Sequence, residues 1–230
     1  MKSKTLGKIV VDVGMTVLLM LLMAFERIGR TAHEWIGVGI FVLFIVHHLL
    51  NRNWSKNLFR GKYPPSRVLQ TALAVLVLLT MLGSFISAVL ISREVFAFLP
   101  IRGGRGFGRT LHMLSAYWGL ICLSLHLGLH WNAMMGRAGR LCGSPSRARR
   151  IALRILGAGI ALYGVYAFWQ KDIPSYLFLQ TQFVFFDFEE PLLFFFLDYL
   201  SIMGLFVCAG HYLAKLVQWL QKHPRREKQQ

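Results

Sequence analysis

Six stretches of about 20 mostly apolar residues run along the chain, separated by shorter polar connections. A helix rising 1.5 Å per residue needs about 20 such residues to cross a hydrocarbon core of ~30 Å. The pattern therefore predicts six spans, at 8–26, 31–50, 68–91, 109–131, 150–169 and 191–214. In lipid, backbone polar groups must be satisfied within the segment, which makes each span helical. The expected fold is all-α: a polytopic membrane helix bundle forming one domain over 1–230, with about six transmembrane helices and a central four-helix core.

The connections give an orientation. NRNWSKNLFRGKYPPSR, between the second and third runs, and NAMMGRAGRLCGSPSRARR, between the fourth and fifth, each carry five Lys or Arg and no acid. Pro64, Pro65 and Pro145 mark both as water-exposed breaks. The other connections hold Glu26, Glu94, Asp172, Asp187, Glu189 and Glu190. A Lys/Arg excess favours the cytoplasmic side, so both termini are expected inside. The N-terminal run, preceded by Lys2, Lys4 and Lys8, is longer than a signal-peptide core and lacks a small-residue cleavage site; it reads as a retained span. The stretch 174–190 mixes Phe178, Phe183, Phe185, Phe186 and Phe188 with Gln180, Gln182 and Asp187. It fits a re-entrant or interfacial segment on the outer face, or a loop whose rings anchor at the headgroup level.

Composition excludes several classes of function. Apolar residues make up 55% of the 230 and charged residues 16%, against about a quarter charged in soluble domains, which excludes a soluble enzyme. The formal charge of +16 sits between apolar runs, as juxtamembrane charge does, and excludes nucleic acid as the partner. Cys122, Cys142 and Cys208 show neither CxxC nor CxxCH spacing, so covalent haem, a zinc ribbon and a disulfide framework have no support.

The histidines change the picture most. Six of eight, His33, His47, His48, His112, His126 and His130, fall in two runs. His33 and His47 are 14 residues apart, as are His112 and His126. At 100° per residue each pair returns to within about 40° of one helix face, ~21 Å further along. The second and fourth spans run in the same direction, so His33 meets His112 near one membrane face and His47 meets His126 near the other. Paired imidazoles from facing helices of a bundle suit two non-covalent b-type haems, whereas zinc takes four closely grouped ligands. Small residues leave room for a flat macrocycle: Gly37 and Ala116 four residues after the first histidines, with Gly39 and Gly119 deeper. GRTAH at 29–33 recurs as GRTLH at 108–112, placing Arg30 and Arg109 at i, i+3 from the outer histidines as partners for haem propionates. Arg102 and Arg105, in a loop with Gly104, Gly106 and Gly108, are further candidates, and the loop follows no strand that would make it a dinucleotide site.

Other readings stay open. The histidines could instead bond to each other or to carbonyls and hold the bundle together. At the inner site His48 and His130 are alternative ligands, and His130 or His211 could flank a quinone. His223 falls in the basic tail. Glu34 and Asp198 are candidates for moving protons; otherwise Glu34 pairs with an arginine and Asp198 is capped or snorkels.

HEWIGVGIFVLFIVHHLLNRNW, GRTLHMLSAYWGLICLSLHLGLHW and the late FVFFDFEEPLLFFFLDYLSIMGLFV resemble a family of bacterial membrane proteins of unassigned function in the di-haem cytochrome b group. The wider group includes superoxide oxidase and the cytochrome b subunits of hydrogenases and formate dehydrogenases, and is similar to the haem core of ferric reductases. The resemblance covers nearly the whole chain after the first span. It implies a bundle with two haems, axial ligands His33, His47, His112 and His126, a place in the bacterial cytoplasmic membrane, and electron transfer between a quinone pool or flavoprotein and an extracytoplasmic acceptor. Several relatives draw ligands from three helices, which keeps His48, His130 and His211 in play. Two rival functions remain: a catalytic superoxide or quinone oxidoreductase, and a haem-free proton-coupled transporter or assembly subunit.

Overall fold

A computed structural model describes residues 3–101, 103–142, 146–181 and 183–223. Lys2, Arg102, Pro145 and Gln182 lie outside these residues, as do the side chains of Lys4 and Cys142. The described chain is helical, without a strand: α1 (Ser3–Met23), α2 (Phe25–Leu50), α3 (Arg52–Lys56), α4 (Pro65–Ile91), α5 (Arg105–Leu129), α6 (Trp131–Cys142), α7 (Arg147–Gln170), α8 (Ile173–Leu177) and α9 (Leu192–Lys222). Six of these, α1, α2, α4, α5, α7 and α9, are long and apolar enough to cross a membrane. The fold is that of a multi-pass helical membrane bundle.

The helices outrun the apolar stretches where the flanking sequence still favours helix. Pro65 occupies the first turn of α4, where its missing N–H costs nothing. The basic connection after the fourth span is not an open break; most of it is α6, and α7 starts at Arg147 behind the Ser146 N-cap, whose hydroxyl accepts from Arg149 N–H at 3.2 Å. The last span continues to Lys222, eight residues beyond the apolar run.

The first connection is short, as the gap at 27–30 between the first two expected spans implies. The first span ends at Met23, and only Ala24 separates it from α2. Reversal is completed at Gly29, whose φ of 77° is open to glycine at no steric cost. The contacts Lys8–Asn51, Asp12–His47 and Gly14–Leu43 then step in opposite directions along the two helices, as an antiparallel hairpin requires.

The other main unit is α4–α5–α9, with α7 on the outside of α9. Glycines let these helices close. A Cβ on Gly128 would come within 2.3 Å of the Val207 carbonyl oxygen, one on Gly210 within 2.4 Å of that of Leu125, and one on Gly164 within 2.2 Å of that of Ser201. The main core runs through Tyr117, Leu120 and Ile121 of α5 and Tyr199, Ile202 and Met203 of α9, and reaches Met20 and Ala24 of the hairpin. The hairpin meets this unit only lightly, α2 against α4 and α1 against α9. The seam between α2 and α5 is where the histidines lie.

Candidate functional site: a histidine seam

At the end of the bundle far from the termini, His33 of α2 and His112 of α5 face each other with ring centroids 6.0 Å apart and planes at 67°. A metal–imidazole bond of about 2.0–2.1 Å on each side puts the two ring centres roughly 6 Å apart. His112 is held from behind by α4. The Ser87 hydroxyl donates to the Ser84 carbonyl at 2.9 Å, and its oxygen accepts from His112 Nδ1 at 3.1 Å, with the Ser84 carbonyl 3.3 Å from the same nitrogen. That network assigns the proton to Nδ1 and leaves Nε2 with a lone pair. Phe25 packs edge-on against His33 at 5.0 Å.

Toward the terminal end, His47 Nδ1 lies 2.8 Å from an Asp12 carboxylate oxygen. The Asn51 amide donates to the His47 carbonyl at 2.9 Å and sits 3.3 Å from His47 Nε2, while Lys8 donates to the Asn51 side-chain oxygen at 2.8 Å. The His126 and His130 rings lie 4.9 Å apart, and His126 is within electrostatic reach of His47, His48 and Asp12. His48 is exposed, with Nδ1 3.0 Å from the Phe44 carbonyl. The backbone of His211 borders Gly128 at the α5–α9 crossing, two residues past His126, and its ring neighbours Tyr212. One end of the seam thus holds a single imidazole pair and the other two neighbouring pairs, His47–His48 and His126–His130, with Asp12 on His47. Among the described residues no three His, Cys, Asp or Glu converge on a point, so no protein-only tetrahedral site is formed.

His33 Nδ1 and His126 Nδ1 are buried without a hydrogen-bond partner among the described residues. An unpaired buried polar atom costs about 1–3 kcal/mol.

Several residues stand elsewhere than the sequence suggested. Gly119 faces Thr80 of α4, at 3.6 Å from a built Cβ, and Gly39 faces Leu18 of α1 at 3.5 Å; both serve helix packing. Gly37 opens onto free space, and Ala116 is half-buried. Arg30, Arg105 and Arg109 are exposed at the far end. The GRTAH/GRTLH echo is not a repeated local structure: Gly29 makes the hairpin turn, whereas Gly108 is helical and lets Leu90 and Ile91 of α4 approach.

Among the described residues Glu34 pairs with no arginine. Its carboxylate accepts from the Ser92 hydroxyl at 2.6 Å and from the backbone N–H groups of Arg93, Glu94 and Val95 at 3.0, 3.1 and 2.9 Å. It closes the turn after α4 and ties it to α2 beside His33. Glu34→Ala is expected to lower stability by about 2 kcal/mol, since the donors lose a charged acceptor; a lower thermal midpoint in detergent checks this.

Asp198, 2% exposed, does not snorkel; its carboxylate is capped by neighbouring side chains. It accepts from the Tyr163 hydroxyl at 2.6 Å and pairs with Lys171 at 3.2 Å, and Lys171 also pairs with Glu190. The stretch after α7 turns into the bundle: Ile173, Tyr176 and Leu177 are buried, Tyr176 stacks on Tyr117 at 4.6 Å, and Trp118 donates to the Leu177 carbonyl at 3.0 Å. Burial pushes the Tyr176 phenol above its ordinary value, and its oxygen accepts from Phe185 N–H at 3.1 Å. Arg27 then clamps the returning chain, donating to the carbonyls of Asp187 and Glu190 with its guanidinium over Phe186. Phe178, Phe183, Phe185 and Phe188 remain exposed.

Sequence reasoning missed Asp12, Ser84 and Ser87. Asp12 had a signal: an acid within a membrane span needs a partner. No family model matches this chain, and neither a curated protein nor a solved structure does.

Proposed function

We propose that the protein is a di-haem b-type membrane cytochrome that passes electrons between a quinone pool or flavoprotein partner and an acceptor on the other side of a bacterial cytoplasmic membrane, with both termini cytoplasmic. The observation that carries this reading is the His33–His112 pair. Two imidazoles from different spans face each other at 6.0 Å across the seam, one of them oriented from behind by Ser84 and Ser87. A metal-ligating histidine typically donates its other ring N–H to a carbonyl or carboxylate, which fixes tautomer and direction. His112 has this arrangement with neutral partners and His47 has it with Asp12.

In this reading His33 and His112 hold one haem and His47 and His126 the other, with Gly37 and Ala116 beside the far site and Arg30 and Arg109 available to its propionates. The haems supply one-electron redox chemistry when bound. The chain contributes the rest. Ser84, Ser87 and Asp12 hold imidazoles in their ligating tautomers, Glu34 fixes the turn over the far site, and the apolar helices exclude water from the seam.

Protein expressed with adequate haem supply and purified in detergent should show b-type bands in a dithionite-reduced minus oxidised spectrum, at two haems per chain. Colourless protein overturns the proposal and leaves the haem-free readings.

A further inference from the structure

The two ends of the seam differ in what stands behind their histidines. At the far end His112 Nδ1 meets a hydroxyl and a backbone carbonyl, both uncharged. The neighbouring carboxylate, Glu34, is engaged by Ser92 and three backbone N–H groups. At the terminal end His47 Nδ1 meets the carboxylate of Asp12 at 2.8 Å, and Asp12 also lies within electrostatic reach of His126 and His130. Lys8 binds Asn51 rather than Asp12, and among the described residues no lysine pairs with that carboxylate.

We infer that Asp12 is a positioning residue that takes up the Nδ1 proton of His47, leaves Nε2, beside the Asn51 amide, as the ligating nitrogen, and makes the terminal-end haem the harder of the two to reduce. The inference rests on the di-haem reading. A carboxylate accepting the Nδ1 proton draws it toward itself and leaves the imidazole a stronger donor, which favours the more highly charged iron. A serine hydroxyl and a carbonyl do this more weakly. The asymmetry is built into the first helix, which carries no haem ligand itself. It orders the sites, so that at equilibrium the first electron placed on the protein rests at the His33–His112 end.

Potentiometric titration of the haem bands tests this without any assay of turnover. Wild-type protein should give two midpoints. His112→Ala, which retains only the terminal-end haem, should give one, matching the lower. Asp12→Asn keeps an oxygen acceptor but removes the charge. A tenfold change in a one-electron equilibrium is about 59 mV, and the lower midpoint should rise by a shift of about that order while the upper stays. Asp12→Glu should restore most of the difference. If Asp12→Asn instead cost the terminal-end haem alone, that would also support the positioning role, because a merely structural residue of α1 would not select one site. The inference is overturned if Asp12→Asn moves neither midpoint, moves both equally, or moves the upper, or if the midpoint in His112→Ala matches the upper one. Wild-type protein without haem bands overturns the di-haem reading as well, so the two failures are distinguishable.

Discussion

Replacing His33 and His112 together with alanine is expected to remove one haem and leave the other, halving the haem per chain in a pyridine-haemochrome assay. The effect should be all-or-none because the far end has no spare ligand. The other histidines of the seam lie about 21 Å away along their helices, and among the described residues no further His stands near the His33–His112 pair. The behaviour should differ at the opposite end. There His48 and His130 adjoin His47 and His126, with ring centroids 5.7 and 4.9 Å apart. His47→Ala with His126→Ala should therefore retain part of the second haem through substitute ligands, with altered bands. Two haems per chain persisting in the His33, His112 double variant would refute the far-end pair.

That contrast bears on what the sequence reveals. The six spans and the meeting of His33 with His112 followed from apolar run length and a 14-residue spacing, because lipid thickness and helical period are nearly context-free. Helix ends were less legible. Apolar residues mark where lipid stops, but α9 continues through Lys215 to Lys222 and α6 occupies a connection read as open, because polar helix formers carry on into water. The turn was legible as the short charged break Glu26–Arg30, but its start at Ala24 and the reversal at Gly29 emerged only with the positive φ of Gly29.

Partners of polar groups were the least legible. Glu34 was matched to arginine by charge, yet three backbone N–H groups and a hydroxyl from a turn 58 to 61 residues away satisfy it. Gly119 and Gly39 looked like room for a macrocycle, but a glycine states only that something comes close, and here it is α4 and α1. Asp12 belongs with them: its partner lies 35 residues on, across a hairpin whose register the pattern did not set.

The largest effect on stability is expected from Gly128→Leu. At this crossing of α5 and α9 a Cβ would lie 2.3 Å from the Val207 carbonyl oxygen, 2.9 Å from His211 N and 3.0 Å from Gly210 Cα. All three are backbone atoms, so no rotamer change relieves the contact and the helices must separate. Overpacking a core where side chains can yield costs about 1–3 kcal/mol; here the cost should exceed ~3 kcal/mol, because separation also opens the shared core of Tyr117, Leu120, Tyr199 and Ile202. Gly157→Leu on the exposed face of α7 provides the contrast, since a Cβ there meets nothing within 4 Å, and its thermal midpoint should stay near wild type. Measured in the same detergent, Gly128→Leu should aggregate or melt far below both. A midpoint equal to that of Gly157→Leu would show that α5 and α9 do not cross at Gly128, and the placement of His126 at the terminal end of the seam would fall with it.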